Sequence, residues 1–255
     1  MTPRAAAAWF RAWGRAAQFA FAAGAAVLSP STYTARMRST AVKQVYFTVW
    51  QVFVGYVLFS ALFSAVTISI TLQAARDYGL GIYALDLVFR VLVLEMLPLL
   101  TALFVALRSG AAISTEVALM RIGGDLDALS SAAIDPFERE FVPRVLAAAV
   151  SVFSLTVMSG AFALLTAYWS MYGLTPWGFD EFTRAVANAF GPLAMIGFAL
   201  KCLAFGTAVA VIPIAAGLEA TRDMKSAPVA VMGGMVRLFF ALGVIEVAAL
   251  ALKYA

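Results

Sequence analysis

Glu95 and Lys201 stand inside long apolar runs, VLVLEMLPLLTALFVAL and GPLAMIGFALKCLAFG, and are the residues best placed to do chemistry. An ionisable side chain in a membrane-grade run is costly unless it is paired or faces a polar cavity. Glu95 with Lys201 is the obvious pair, and two roles are open to it. One is a structural ion pair. The other is a pair bordering a ligand path, where Lys201 could meet a phosphate. Asp86 and Arg90 are one helical turn apart and can pair on one face. Arg237 and Glu246, nine residues apart, fall on opposite sides of a helix, which suits separate structural roles. The chain has no histidine, so the commonest metal ligand and neutral-pH base are missing. No nucleophile–base pair is visible, and no GxxxxGK[ST] phosphate loop occurs. The single cysteine, Cys202, sits in an apolar run and reads as a packing residue. No catalytic and no metal-binding residue is therefore assigned.

The elements that must position these residues are membrane helices. Of the 255 residues, 63% are hydrophobic and only 13% charged, about half the charged share of a soluble domain. The sequence predicts an all-α integral membrane protein with an N-terminal interfacial helix and five transmembrane helices. A basic, aromatic-rich arm occupies 1–40, with Arg4, Arg11 and Arg15 interleaved with Trp9, Phe10, Trp13 and Phe19, as suits a helix lying in the membrane interface. Ser29-Pro30 ends that helix. The spans are expected at 45–72, 82–107, 145–170, 185–218 and 227–252. Each is long enough to cross a core of about 30 Å at 1.5 Å per residue. Lys and Arg concentrate in the arm, in the segment between the second and third spans, and at Arg222 and Lys225. The positive-inside rule then puts the N-terminus in the cytoplasm and the C-terminus outside.

The segment 108–144 is polar yet helix-forming. Ile113, Val117 and Met120 recur at helical spacing, with Glu116 and Arg121 on the polar side. Gly123-Gly124 breaks the helix, Asp125 is the expected N-cap of a short helix through Leu129, and Asp135-Pro136 forms the turn that starts the third span. Such an element suits docking into a groove of a soluble partner; a merely solvated helical loop is the plainer alternative.

The pattern E-x-x-P-x-x-x-A-x-x-x-A-x-R-x-G-A-A-I-x-x-E-x-x-x-M-R, then D-A-L, I-D-P and V-P-R-V-L-A, resembles the MlaE/YrbE permeases of lipid-moving ABC transporters. Glu95, Pro98, Arg108, Gly110, Glu116, Met120, Arg121, Asp127, Leu129, Asp135, Pro136, Pro143 and Arg144 carry it. Lys43-Gln44, Leu72-Gln73, Lys201 and Phe205-Gly206 extend it more weakly. Gly124-Asp125 stands where that family usually has Glu-Gln. The resemblance implies that 108–144 is a cytoplasmic coupling helix resting on a separate ATPase. Arg108, Glu116, Met120, Arg121, Asp125, Asp127, Leu129, Asp135 and Pro136 would carry that contact. It implies a substrate path past Glu95, Lys201, Gln73 and Pro98, for a phospholipid or similar lipid. It further implies a homodimer, two ATPase subunits that hold the ATP and magnesium, an MCE-domain protein on the outer side, and a small STAS-domain regulator. No cofactor is expected in this chain and no nucleic-acid partner. The expected location is the bacterial inner membrane. Two rival readings remain: a proton-coupled carrier using Glu95 and Lys201, and a non-transporting scaffold.

Overall fold

The computed structural model describes residues 3–28, 35–173, 175–221 and 223–254. Among these there is no strand, and five helices are long and apolar enough to cross a membrane. The helices are α1 (Pro3–Leu28), α2 (Ala35–Asp77), α3 (Ala84–Gly123), α4 (Asp125–Ser131), α5 (Phe137–Tyr172), α6 (Phe179–Ala189), α7 (Pro192–Leu218) and α8 (Ser226–Tyr254). The break expected at Ser29-Pro30, and the side chains of Arg4, Trp9, Phe10, Arg11, Arg36 and Arg38, lie outside what is described.

The first helix to cross runs Ala35–Asp77, past both ends of the expected 45–72, and three further boundaries differ from the sequence reading for a physical reason. The second span does not end near Leu107. It continues unbroken through Arg108 and Gly110 to Gly123, so Ser109–Ile122 extends the span rather than forming a separate helix. Gly110 is tolerated because it is buried against α7 and α8, where an added Cβ would lie 3.5 Å from Pro213 and Leu238. The fourth span starts at Pro192 and not at 185. Pro192 has no N–H to donate and its fixed φ suits a first helical turn, so the preceding Phe179–Ala189 becomes a separate amphipathic helix. The third span starts at Phe137, eight residues early, because Asp135 accepts the Phe137 N–H at 2.8 Å and Pro136 opens the turn.

Short connections stand α3, α5, α7 and α8 side by side, with α2 against α5. The end bearing α4 is termed the elbow end; the opposite end bears α6. Around Tyr56, Val105, Val152, Phe205, Val209 and Leu238, the core joins five helices. Close backbone approach is set by glycine. A Cβ on Gly206 would sit 2.4 Å from the Ala149 Cα, and one on Gly217 2.7 Å from the Ser114 carbonyl oxygen. Small residues let membrane helices meet where no water drives them together.

Candidate functional site

Helix α3 carries residues of both groups that the sequence singles out, Glu95 and Pro98 of one and Arg108, Glu116, Met120 and Arg121 of the other, and its local geometry differs from an ordinary α-helix near both. Residues Val88–Met96 and Ala106–Gly110 are π-helical, with the Leu97 N–H reaching back to the Leu92 carbonyl and the Ala111 N–H to the Ala106 carbonyl. The first stretch directly precedes Pro98, whose ring would crowd the carbonyl four residues back in a regular helix. Widening the turn relieves that and aims Glu95 into the bundle. π-Turns are rare and recur at functional positions.

Lys201, with a side chain 4% exposed, donates to Glu95 on α3 and to Glu246 on α8, the latter at 2.9 Å. The Lys253 ammonium also reaches Glu95, at 2.5 Å. Four charges from three helices therefore close on one another. Lys201 further lies 6.0 Å from the centre of the Phe205 ring. At 1.5 Å per residue Glu95, Lys201 and Glu246 stand about 12–16 Å in from the α6-end termini of α3, α7 and α8, near half the depth of a ~30 Å core, and Lys253 reaches in from the end of α8. Glu246 escaped the sequence reading, which gave it a separate structural role. The available signal was its charge in an otherwise apolar helix, but its partner depends on how α8 is rotated against α7. Gln73 does not join the cluster: it is exposed near the far end of α2. Pro98 is buried one turn from Glu95 and shapes the helix rather than lining a polar surface.

A second polar knot sits nearby. The Tyr56 hydroxyl lies 2.5 Å from the Thr101 hydroxyl and donates to the Ser159 hydroxyl at 3.1 Å, tying α2, α3 and α5 together inside the core. Arg90 donates to both Asp86 oxygens, at 2.9 and 2.8 Å.

The elbow is built from the last turns of α3, the whole of α4 and the first turn of α5. Gly124, at φ +83°, lets the chain reverse; it occupies the N-cap of α4, and Asp125 is the first helical residue rather than the cap. The left-handed backbone explains why glycine stands there. α4 extends to Ser131, two residues past Leu129. Leu126 and Val117 are buried with Phe141 and Val145, and Ile113, Met120 and Phe137 pack beside them, so the elbow is anchored to the bundle. Arg144 is the strut: its side chain is 10% exposed, and it meets Glu116 at 3.2 Å and Glu140 at 3.6 Å. Glu116, Arg121, Asp125 and Asp127 face outward, as does Arg108 at the second π-turn. Leu129 is half-buried. The elbow thus presents a charged outer face on a packed base.

Arg237 pairs elsewhere than Glu246. It grips Glu219 with two bonds, at 3.1 and 2.9 Å, and Arg15 of α1 meets the same carboxylate at 2.8 Å. Burial alone pushes the Glu219 carboxyl up, but the hydrogen bonds and charges of Arg237 and Arg15 outweigh it and hold it below its ordinary value. This fastens α1 to the elbow end of the bundle, helped by Phe19 packed edge-on against Phe137 and Phe141.

No group of three or more metal-binding side chains occurs among the described residues. Residues 41–252 match the family described as Permease MlaE. A probable ABC transporter permease protein of Synechocystis sp. is 32% identical over 161 residues, 61% of this chain and 60% of its own length. The intermembrane phospholipid transport system permease protein MlaE of Haemophilus influenzae is 26% identical over 156 residues, 54% of this chain and 58% of its own length. Over 156 residues, the chloroplastic protein TRIGALACTOSYLDIACYLGLYCEROL 1 of Arabidopsis thaliana is 27% identical, covering 58% of this chain and 43% of its own length. The chain spans at most about 60% of the length of these relatives.

Proposed function

The chain belongs to the MlaE permease family, and from that premise we propose that it is the membrane subunit of an ABC transporter for phospholipid or a similar lipid. ATP and magnesium are held by a separate ATPase, which docks on the elbow. The observation that carries this reading is the continuity of α3. One helix holds Glu95 in the buried charge cluster and Glu116 on the elbow, 21 residues or about 32 Å apart at 1.5 Å per residue. A push on the elbow is delivered to the cluster without crossing a hinge loop, as rigid-body switching requires.

The working unit is a homodimer with two ATPase subunits in the inner membrane, with the elbow on the cytoplasmic side and Tyr254 on the other. An MCE-domain protein on the outer side and a small STAS-domain regulator complete the assembly. Support for a second copy comes from α2, where Tyr46, Trp50, Val54, Leu58, Leu62 and Val66 form an exposed apolar stripe at four-residue spacing. The cluster's chemical task is to offer Lys201 to a lipid phosphate. With two carboxylates already on Lys201, phosphate binding requires α7 or α8 to move, which links cargo binding to helix position. The proton-coupled alternative is not favoured, since the Synechocystis relative is described as a probable ABC transporter permease. Reconstitution tests the reading: lipid movement in liposomes carrying the chain and its ATPase stops with vanadate. Transport that survives vanadate but collapses with the proton gradient would overturn it.

A further inference from the structure

A cavity of about 610 Å³ lies between α1, α7 and α8, away from the elbow's outer face. It falls inside the roughly 300–1,000 Å³ range of small-molecule sites. Trp13, Ala17 and Ala20 of α1, Ala208 and Ile212 of α7, and Val244 of α8 line it. On α7 its lining runs from Ala204 to Ile212, which is about 10–22 Å below Glu219 at 1.5 Å per residue. That depth is the acyl-chain zone of one leaflet, half of a ~30 Å core.

The rim at the elbow end is charged. Arg15 and Arg237 share the single carboxylate of Glu219, so these three residues carry one surplus positive charge. Arg237 is 7% exposed, and its Nε donates to the Gly233 carbonyl one turn nearer the elbow end. The guanidinium is therefore drawn from the apolar zone toward the headgroup level. An apolar slot of chain depth beneath a surplus guanidinium charge is complementary to one lipid.

We propose that this cavity is a resident phospholipid site. One acyl chain of a glycerophospholipid from the leaflet beside α1 fills the slot, and its phosphate sits at Arg15, the exposed arginine of the pair. The slot is lined by three helices of the same chain. The site is distinct from the Glu95–Lys201 cluster and needs no ATPase.

The probe is phosphatidylglycerol bearing a diazirine midway along one acyl chain, mixed into phosphatidylcholine liposomes holding the full chain with its co-purifying partners. Illumination is expected to label the stretches around Ala17, Ala208 and Val244. Ala208→Trp, which fills the slot, is expected to cut that labelling about tenfold and leave labelling around Leu58 on α2 unchanged, a specific-site contrast worth one decade. Ala17→Trp repeats the test from α1 and covers the case in which the α7 variant does not fold. Arg15→Gln is expected to lower the preference for phosphatidylglycerol over phosphatidylcholine about fivefold, the weight of one charge near a lipid surface. Even labelling of all exposed apolar faces, indifferent to both tryptophan variants, overturns the proposal. So does efficient cross-linking of Ala17→Cys to a second copy, which would make the slot a protein interface.

Discussion

Removing Lys201 tests whether the buried cluster is a strut or a working part. Lys201→Met keeps the bulk of the side chain and deletes its charge. The lysine is 4% exposed, and Glu95 and Glu246 are 13% and 12% exposed. Glu95 keeps Lys253 as a partner; Glu246 is left with none of its described bonds. Breaking a buried ion pair by removing one partner costs about 3–5 kcal/mol, because the orphaned charge stays buried. Adding Glu246→Gln removes that orphan and leaves Glu95 with Lys253. The double variant is therefore expected to recover most of the loss, to within about 1–2 kcal/mol of the original chain, since a neutral replacement of a buried pair is often near neutral. Equilibrium unfolding in mixed micelles measures both numbers, and lipid movement in liposomes is read on the same preparations. A stable double variant that no longer moves lipid assigns the cluster a part in transport. Full transport by the stable double variant makes it a structural pair. A single-variant loss below about 1 kcal/mol, or a double variant no better than the single, refutes the reasoning, for then the charges are not buried together.

Other expectations follow from the same geometry. Glu116→Lys, at a side chain 61% exposed, should change stability by no more than about 1 kcal/mol, yet uncouple ATP hydrolysis from lipid movement; coupled turnover in that variant and in Arg121→Glu counts against elbow docking. Gly206→Ala places a Cβ 2.4 Å from the Ala149 Cα and should destabilise by about 1–3 kcal/mol by overpacking, whereas Gly233→Ala, with nothing within 4 Å, should be neutral or slightly stabilising; unfolding titrations that rank them otherwise contradict the packing. Glu219 has a lowered carboxyl pKa in the folded chain, so its contribution is complete above the ordinary value of 4.5 and is lost as pH falls through the lowered one. Protease sensitivity of α1 should rise in that acidic window, and Glu219→Gln should abolish the step; a step that survives the substitution belongs to other carboxylates.

The membrane class and five spans were legible because apolar runs of this length have few other uses in a protein. Helix ends were less so. Arg108 and Gly110 look like the exit from a span, yet α3 continues because its exposed face beyond Arg108 is polar and its inner face still packs on α7 and α8. Conversely, the uncharged Ala185–Gly191 joins the fourth span by composition, and a proline with an extended glycine before it separates the two. The Glu95–Lys201 pair could be inferred because each charge needed a partner and few existed. Glu246 and Lys253 were not inferred, since joining them depends on the rotation of α8, which no spacing encodes. Arg237 had a readable cue in hindsight: a cation drawn toward the elbow end of α8, with Glu219 just ahead of that helix. Its sharing with Arg15, more than two hundred residues away, had none.

In the proposed mechanism the elbow hands mechanical work from a motor subunit to the buried cluster. A photo-activatable amino acid at exposed Asp127 on α4, illuminated in native membranes, tests it most directly. One dominant adduct with a nucleotide-hydrolysing subunit is expected, its yield changing when ATP is trapped with vanadate. An Asp127 probe that reacts only with water or lipid, while the particle still moves lipid at the expense of ATP, contradicts it.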